Sequence, residues 1–404
     1  MHNPSTTVLN KAIALVSTGH FFSHFYMLLL PPLFPILHDE FGVSFTQLGF
    51  AVTVYSLTTA LTQMPVGYLV DRYGARWILL GGLVAESLAI ILIGLYPDYR
   101  VLLWMMALSG LGNAVFHPCD YTILNARVPA QRIGQAFSIH TFSGLLGSAV
   151  AAPLVVYLAA WSHWYTALIS CGLAGLLVTA IMAWNSQALS TEPARQTPES
   201  KPRGYAVQLL ISAPILLALL FFVGLAMFGN AITKFGIAAL EIGGQADLKS
   251  ATLVITVYLF TAPAGVLIGG WVADRIERHA RFVIACLAAV AGCALGVALL
   301  SPATPVLILL FAIAGLCSGC VSPSRDMMIR ALTPAGQSGK VFGFVSTGFN
   351  IGGILAPPLF GFILDRGEPS QLFLVAGLLS LATILTVYLT GQSSRQRLTE
   401  SLSG

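Results

Sequence analysis

The sequence predicts an all-α polytopic membrane protein with twelve transmembrane helices in two six-helix pseudo-repeats. The 404 residues are 56% hydrophobic and only 9% charged, with a mean hydropathy of +0.82. Soluble proteins carry roughly a quarter charged residues, so this chain has too few to cover a water-exposed surface. Apolar stretches of the length that spans a bilayer, about 20 residues, also recur from end to end.

Apolar segments bounded by turns or charges give the helices in order. They are expected at 11–37, 44–70, 77–96, 101–127, 132–160, 164–184, 207–235, 249–273, 281–300, 305–331, 338–364 and 370–390. The polar stretch "NSQALSTEPARQTPESKPRG", which begins at residue 185, separates six helices from six and is typical of a flexible linker. The predicted organisation is therefore an N-terminal half at 1–184, a cytoplasmic linker at 185–206 and a C-terminal half at 207–404.

The distribution of basic residues predicts the orientation. An even number of spans puts both termini on one side of the membrane, and cytoplasmic loops carry the excess of Lys and Arg. Of the 20 Lys and Arg residues, fifteen fall on the side of the termini, and only Arg100, Lys249 and Arg366 fall on the other; Lys234 and Arg325 fall inside predicted helices. Both termini and the linker are predicted to be cytoplasmic, in a plasma membrane and most simply a bacterial inner membrane. Because the basic residues are dispersed, no nucleic acid is expected as a partner.

The two halves repeat one another. "HPCDYTILNARVPAQRIGQAFS" aligns with "SPSRDMMIRALTPAGQSGKVFG", and Pro118 and Gly147 fall opposite Pro323 and Gly352 at a constant offset. Two parallel six-helix repeats are a layout of secondary transporters, in which the halves rock to give alternating access.

Two loops share a pattern. "GYLVDRYGAR" runs from Gly67 to Arg76, and "GWVADRIERHAR" stands at the equivalent place in the second half. We expect Gly67 to allow close helix approach and Gly74 to permit a tight turn. Asp71 is placed to accept hydrogen bonds from a helix N-terminus or an Arg.

The first loop resembles the best-known motif of the major facilitator superfamily, through Gly67, Leu69, Asp71, Arg72, Gly74 and Arg76. In the second copy Gly270, Asp274 and Arg275 remain, and Glu277 replaces glycine. The resemblance covers the whole chain. It implies that helices one, four, seven and ten line a central cavity and that the Asp71 loop latches a cytoplasmic gate. We expect the protein to function as a monomer.

Helices one and four are also similar to the fosmidomycin-resistance branch of drug exporters. The matching features are a histidine early in helix one, His20 or His24, and the pair His117–Pro118 in helix four. The sequence departs from the pattern of proton-driven exporters in two places: helix four lacks their arginine, and Ala152 replaces a glycine of helix five.

Polar residues within the apolar segments are the candidate site. His20 and His24 share one helical face, and His117, Asp120 and Tyr121 share another. A histidine beside a carboxylate can carry a proton. Alternatively, these groups hydrogen-bond across helices, or His20, His24, His117 and Asp120 ligate a divalent metal.

In the second half, Arg325 takes the repeat position of Asp120 and can grip an anion at two points. Asp326 is expected to pair with Arg330, four residues on. Lys234, near the outer end of helix seven, is either a substrate anchor or a side chain that reaches outward to the interface.

The sequence therefore predicts a secondary active transporter that exports a small organic compound or drug in exchange for protons, with organic anions among the candidate substrates. The alternatives are transport of a divalent metal or its chelate, and proton-coupled uptake of an organic anion. No enzyme is expected, since no nucleophile with a positioned base and no H-E-x-x-H motif occurs. No cofactor is expected either.

Overall fold

A computed structural model describes residues 6–129, 132–191, 209–333 and 338–403, and the regular structure within them consists of helices, without strands. In unit 1 the α-helices are α1 (Thr6–Met27), α2 (Phe34–Phe41), α3 (Phe45–Tyr73), α4 (Arg76–Leu95), α5 (Tyr99–Asn113), α6 (Phe116–Arg127), α7 (Ile133–Trp161) and α8 (Trp164–Trp184). In unit 2 they are α9 (Ala213–Asn230), α10 (Gly236–Ile242), α11 (Leu248–Ala273), α12 (His279–Leu300), α13 (Thr304–Leu332), α14 (Ser338–Asp365) and α15 (Pro369–Ser403). The two units are residues 1–197 and 198–404.

The helices are those of a membrane protein. Within the described residues, eleven helical segments are long and apolar enough to cross a bilayer. The remaining long helix, α3, has 29 residues and is less apolar than these segments, because Thr, Ser and Gln recur along it. The predicted all-α polytopic class is thus confirmed, with α3 as the least apolar of the twelve predicted spans.

Three spans are interrupted where the sequence predicts continuous helices. The first breaks between α1 and α2 at a 3₁₀ turn, Pro31–Leu33, because consecutive prolines supply no N–H groups. The fourth breaks between α5 and α6, at Ala114 and Val115. Pro118 explains this second break, because a proline ring clashes with the carbonyl of the residue four positions earlier. The seventh contains a π-helical turn, Ala231–Phe235, between α9 and α10.

Three helix pairs recur in the two units. In unit 1 the main contacts join α1 with α7, α3 with α5, and α4 with α8; in unit 2 they join α9 with α14, α11 with α13, and α12 with α15. The repeated glycines make these contacts close. Gly147 lies against the Phe21 carbonyl, and Gly352 lies 2.9 Å from the Val223 carbonyl, measured from an ideal Cβ. Glycine repeats at these positions because a side chain would hold the helices apart.

The beginning of the predicted linker is folded. Ser186–Leu189 forms a 3₁₀ turn in which Ser186, Ala188 and Leu189 are buried. Arg127 holds it, donating from Nε to the Ser190 carbonyl at 2.8 Å. The prediction of a flexible linker from residue 185 is therefore wrong for these first residues, and 192–206 lie outside the described residues.

Candidate functional site

Asp120 lies between two imidazole rings. Its Oδ2 is 2.9 Å from His140 Nε2 and 3.3 Å from His20 Nδ1. Asp120 is fully buried, and His20 and His140 are only 3% and 2% exposed. The bond to His140 has hydrogen-bond geometry, whereas His20 Nδ1 is within ion-pair distance without that geometry. His20, Asp120 and His140 are called the imidazole–carboxylate cluster below.

Three spans bring the cluster together. His20 comes from α1, Asp120 from α6 and His140 from α7, and the rings of His20 and His140 stack with centroids 3.7 Å apart. Gly144, one turn after His140, permits the approach of α7 to α1. An ideal Cβ on Gly144 would lie only 2.7 Å from His20 Cδ2 and Nε2.

The other predicted residues of this half surround the cluster but do not join it. The His24 ring lies 4.6 Å and the His117 ring 5.4 Å from the His20 ring, centroid to centroid. His24 Nδ1 hydrogen-bonds with Ser148 Oγ at 3.3 Å. His117 is exposed, and Tyr121, 46% exposed, contacts the edge of Phe137 and lies 5.9 Å from the His140 ring. The predicted His117–Asp120–Tyr121 face is therefore split into a buried carboxylate and two accessible aromatic rings.

His140 was missed by sequence reasoning, although it makes the shortest contact in the cluster. It is buried in "AFSIHTFSG" of the predicted fifth helix, between small and apolar residues. A signal was available, because an ionisable residue inside a membrane span is a functional candidate by default.

The cluster offers one site for one small cation. One ligand atom from each of His20, Asp120 and His140 lies within 4.8 Å of the others. Asp120 Oδ1 and His20 Nδ1 have no hydrogen-bond partner among the described residues. A carboxylate with two imidazoles can bind a proton, which it shares between acid and bases, or a divalent metal ion.

In unit 2, Arg325 occupies the equivalent place but has different partners. Its guanidinium lies 4.9 Å from the Phe222 ring centroid on α9 and 5.4 Å from that of Phe349 on α14. Its Nε donates to Asp326 Oδ1 at 2.8 Å. The predicted Asp326–Arg330 pair is therefore wrong, because the chain turns the Asp326 carboxylate toward its immediate neighbour instead.

Lys234 is buried in the π-helical turn of the seventh span. It is 6% exposed, so it does not reach outward to the interface. No hydrogen bond or ion pair joins it to another described residue. Phe222, which Arg325 covers, precedes Lys234 by twelve residues, or about 18 Å along a helix. The two cations therefore belong to separate places in unit 2.

The first loop motif is built around Gly74. Its φ of +81° is a backbone conformation that suits glycine, so the predicted turn is confirmed. An ideal Cβ on Gly74 would lie 3.0 Å from the Thr191 carbonyl oxygen, and the Ala75 N–H donates to Thr191 Oγ1. The loop thus holds the end of the folded 186–191 segment.

The remaining motif residues are less constrained within unit 1. An ideal Cβ on Gly67 would meet nothing within 4 Å in the described part of unit 1, so the close helix approach expected at Gly67 stays a prediction. The Asp71 side chain is exposed and has no bond within the described part of unit 1. Arg72 and Arg76 lie over the rings of Tyr73 and Trp77.

The second copy of the motif is anchored differently. Arg275 donates to the Trp271 carbonyl at 2.8 Å and lies over the Trp271 ring. Close packing occurs at Gly269, whose Cβ position is 2.6 Å from the Cys320 carbonyl oxygen, rather than at Gly270, which is 4.0 Å from Pro323. Asp274 is exposed.

The repeated helix pairs, the spans and the buried cluster define a polytopic transporter. The chain belongs to the Major Facilitator Superfamily, whose family model matches residues 16–245 and 219–402. It is therefore a multi-pass membrane transporter of small molecules rather than an enzyme.

Named relatives agree with this assignment. The chain is 27% identical to the fosmidomycin resistance protein of Escherichia coli, covering 93% of this chain and 92% of the relative. It is 23% identical to the D-galactonate transporter of E. coli, over 89% and 90%. It is 24% identical to a probable nitrate/nitrite transporter of Mycobacterium tuberculosis, over 93% and 94%.

A solved structure shows the same fold. A bacterial homolog of the human lysosomal transporter Spinster, in an inward-facing and occupied conformation, superposes with a TM-score of 0.75 at 14% identity. The match covers 96% of this chain and 98% of that one.

Proposed function

We propose that this chain exports a small organic anion by alternating access in exchange for protons, and that the imidazole–carboxylate cluster is the protonation site. The observation that carries the proposal is the burial of Asp120 between His20 and His140, inside membrane spans. Buried ionisable groups are costly in a bilayer and are typically retained for function.

The cluster can hold one proton in two ways. With the proton present, either Asp120 is the neutral acid or its carboxylate is paired with a histidinium. When the proton has left, the Asp120 carboxylate lies beside two neutral imidazoles. Its Oδ1 has no hydrogen-bond partner among the described residues. Loss of the proton therefore raises the cost of keeping Asp120 buried, and this favours a conformation that admits water to it.

Two lines of evidence support an anionic substrate. Several relatives are named for anions: galactonate, sulfoacetate, and nitrate or nitrite. In unit 2, Lys234 is a buried cation without a partner among the described residues, while the charge of Arg325 is partly balanced by Asp326. Lys234 is therefore the better anchor for an anion, and Arg325 is a second candidate.

The direction of transport is inferred from resemblance. Export is favoured by the similarity to a resistance protein over nearly the full length of both chains. Proton-coupled uptake of an organic anion is the alternative. Transport into inside-out and right-side-out vesicles under the same pH gradient separates the two directions.

Proteoliposomes with an imposed pH gradient test the coupling, with D-galactonate, nitrate and fosmidomycin as probes. Asp120→Asn should abolish pH-driven transport and spare substrate exchange at equal pH on both sides. The variant can still undergo alternating access, but residue 120 no longer binds a proton. His140→Gln should give the same pattern. The matched controls are Asp39→Asn and His163→Gln, which change exposed residues outside the cluster. Full pH dependence in Asp120→Asn would refute the assignment of the carrier.

The anion site has its own test. Lys234→Met should weaken binding of the transported probe, and Arg325→Lys should weaken it less if Lys234 is the anchor. If Arg325→Lys weakens binding more than Lys234→Met does, the anion binds at Arg325. The ammonium of a lysine does not reproduce the planar guanidinium of Arg325.

A divalent metal is the second candidate substrate, favoured by the three ligand atoms of the cluster within 4.8 Å. Two imidazoles and a carboxylate suit Zn²⁺ or Mn²⁺, with an open position for water. Calorimetry of purified protein with each ion separates the readings. Micromolar binding of either ion to the wild-type protein, lost in His140→Gln, would support transport of a metal. No binding of these ions to the wild-type protein would support the proton as the ion that the cluster carries.

A further inference from the structure

Glu86 lies in the middle of α4 and is fully buried. Its span, Arg76–Leu95, is among the most apolar of the chain, with a mean hydropathy of 2.4. Glu86 Oε1 accepts a hydrogen bond from Asn113 Nδ2 at 3.3 Å, and Oε2 has no partner among the described residues. The transport mechanism proposed above does not use it.

The surroundings of Glu86 are polar but not positive. Asn113 faces it from α5, Tyr26 and Ser23 belong to α1, and Tyr55 belongs to α3. The Tyr55 hydroxyl is buried and also without a hydrogen-bond partner among the described residues. No Lys, Arg or His forms an ion pair with Glu86 in the described part of the chain. A carboxylate in such a place would be an uncompensated buried charge, whereas a neutral carboxylic acid would not.

The position of Glu86 is fixed by close packing. An ideal Cβ on Gly112 would lie 2.8 Å from Glu86 Cγ. An ideal Cβ on either Gly82 or Gly112 would lie 2.7 Å from the carbonyl oxygen of the other glycine. α4 and α5 are therefore nearly in backbone contact at the level of Glu86.

A hydrogen-bonded connection leads from Glu86 to the first span. Asn113 Nδ2 also donates to Ser23 Oγ at 3.0 Å, and Ser23 lies on α1 between His20 and His24. Asn113 is moreover the last residue of α5, directly before the break of the fourth span, and Asp120 follows in α6. One amide thus joins Glu86, the first span and the broken fourth span.

We propose that Glu86 is a second proton-binding residue of unit 1, linked through Asn113 and Ser23 to the span that carries His20. Its protonation is independent of whether Asp120 carries the coupled proton. Only its contribution to transport rests on the proposed function.

Infrared spectroscopy of the purified protein in lipid tests this without a substrate. At pH 7 exposed carboxyl groups are ionised, because their ordinary pKa values lie near 4. Asp120→Asn removes the other fully buried acid among the described residues. The protonated-carboxyl C=O stretching band that Glu86→Gln then removes is assigned to Glu86, because Glu241, whose Oε2 is also buried, is the same in both variants. We expect this band in Asp120→Asn and its loss in Asp120→Asn/Glu86→Gln. Absence of the band from Asp120→Asn, or its persistence in the double variant, would overturn the proposal.

Asn113→Ala provides a second readout if the double variant does not fold. Loss of the amide donor should move the Glu86 band to higher frequency, because hydrogen bonding lowers the frequency of a carbonyl stretch. Ser23→Ala should move it less, since the Asn113–Glu86 bond remains. An unshifted band in Asn113→Ala contradicts the connection. If Asn113→Ala changes only the C=O band of Asp120, the proposed connection between Asn113 and Glu86 is likewise contradicted.

Discussion

Gly144→Ala is the sharpest perturbation of the imidazole–carboxylate cluster, because it adds one methyl group without removing any polar atom. The new Cβ would lie 2.7 Å from His20 Cδ2 and Nε2, and 3.1 Å from His24 Cδ2. Ordinary contacts begin near 3.4 Å, so relief requires a shift of about 0.7 Å in the His20 ring or in α7. His20 is also held by the stacked His140 ring, 3.7 Å away between centroids, so it has little freedom to give.

The expected cost follows from this overlap. Overpacking by one methyl group typically costs about 1–3 kcal/mol. If it falls on the His20–Asp120 contact, the coupling between proton and transport changes by about 5- to 150-fold. We therefore expect the rate of pH-driven transport in proteoliposomes to decrease by about 5- to 150-fold. The rate of transport at equal pH on both sides should change less.

Gly134→Ala is the matched control, since it adds the same methyl group to the same helix at a position where an ideal Cβ meets none of the described residues within 4 Å. It should leave both transport rates and thermal stability unchanged. Wild-type pH dependence in Gly144→Ala would refute the importance of the His20 position. Equal losses in both variants would show only a general intolerance of α7 to substitution.

The remaining predictions concern the loop and the topology. Gly74→Ala should lower the free energy of unfolding by about 1 kcal/mol or more, because its φ of +81° disfavours a side chain and Thr191 lies 3.0 Å from the Cβ position. Gly81→Ala, whose Cβ would meet none of the described residues within 4 Å, should not change the melting temperature. Asp71→Asn should leave thermal stability unchanged, since Asp71 has no partner in the described part of unit 1, and should slow turnover if the family's gate role applies; full transport would argue against that role. Ser162→Cys should react with an impermeant thiol reagent in intact cells and Arg278→Cys should not, above the wild-type background; the opposite pattern would reverse the orientation with cytoplasmic termini.

Much of the fold follows from local chemistry. A chain with 9% charged residues has to place its long apolar segments in lipid, and backbone groups there are satisfied by helices. The turn at Gly74 could also be predicted from the sequence, because glycine tolerates the positive φ that this turn requires. The break at Ala114 and Val115 was not predicted, because the apolar pattern indicates one continuous helix at 101–127.

The sequence by itself determined the membrane helices, the repeat and the candidate residues on the first and fourth spans. Only the tertiary structure decided which polar groups meet. Asp120 and His140 are joined by the packing of α6 and α7, and Arg325 pairs with Asp326 rather than Asp326 with Arg330. The physical reason is that a helix in lipid is apolar on every side, so its sequence does not reveal which face turns toward its neighbours.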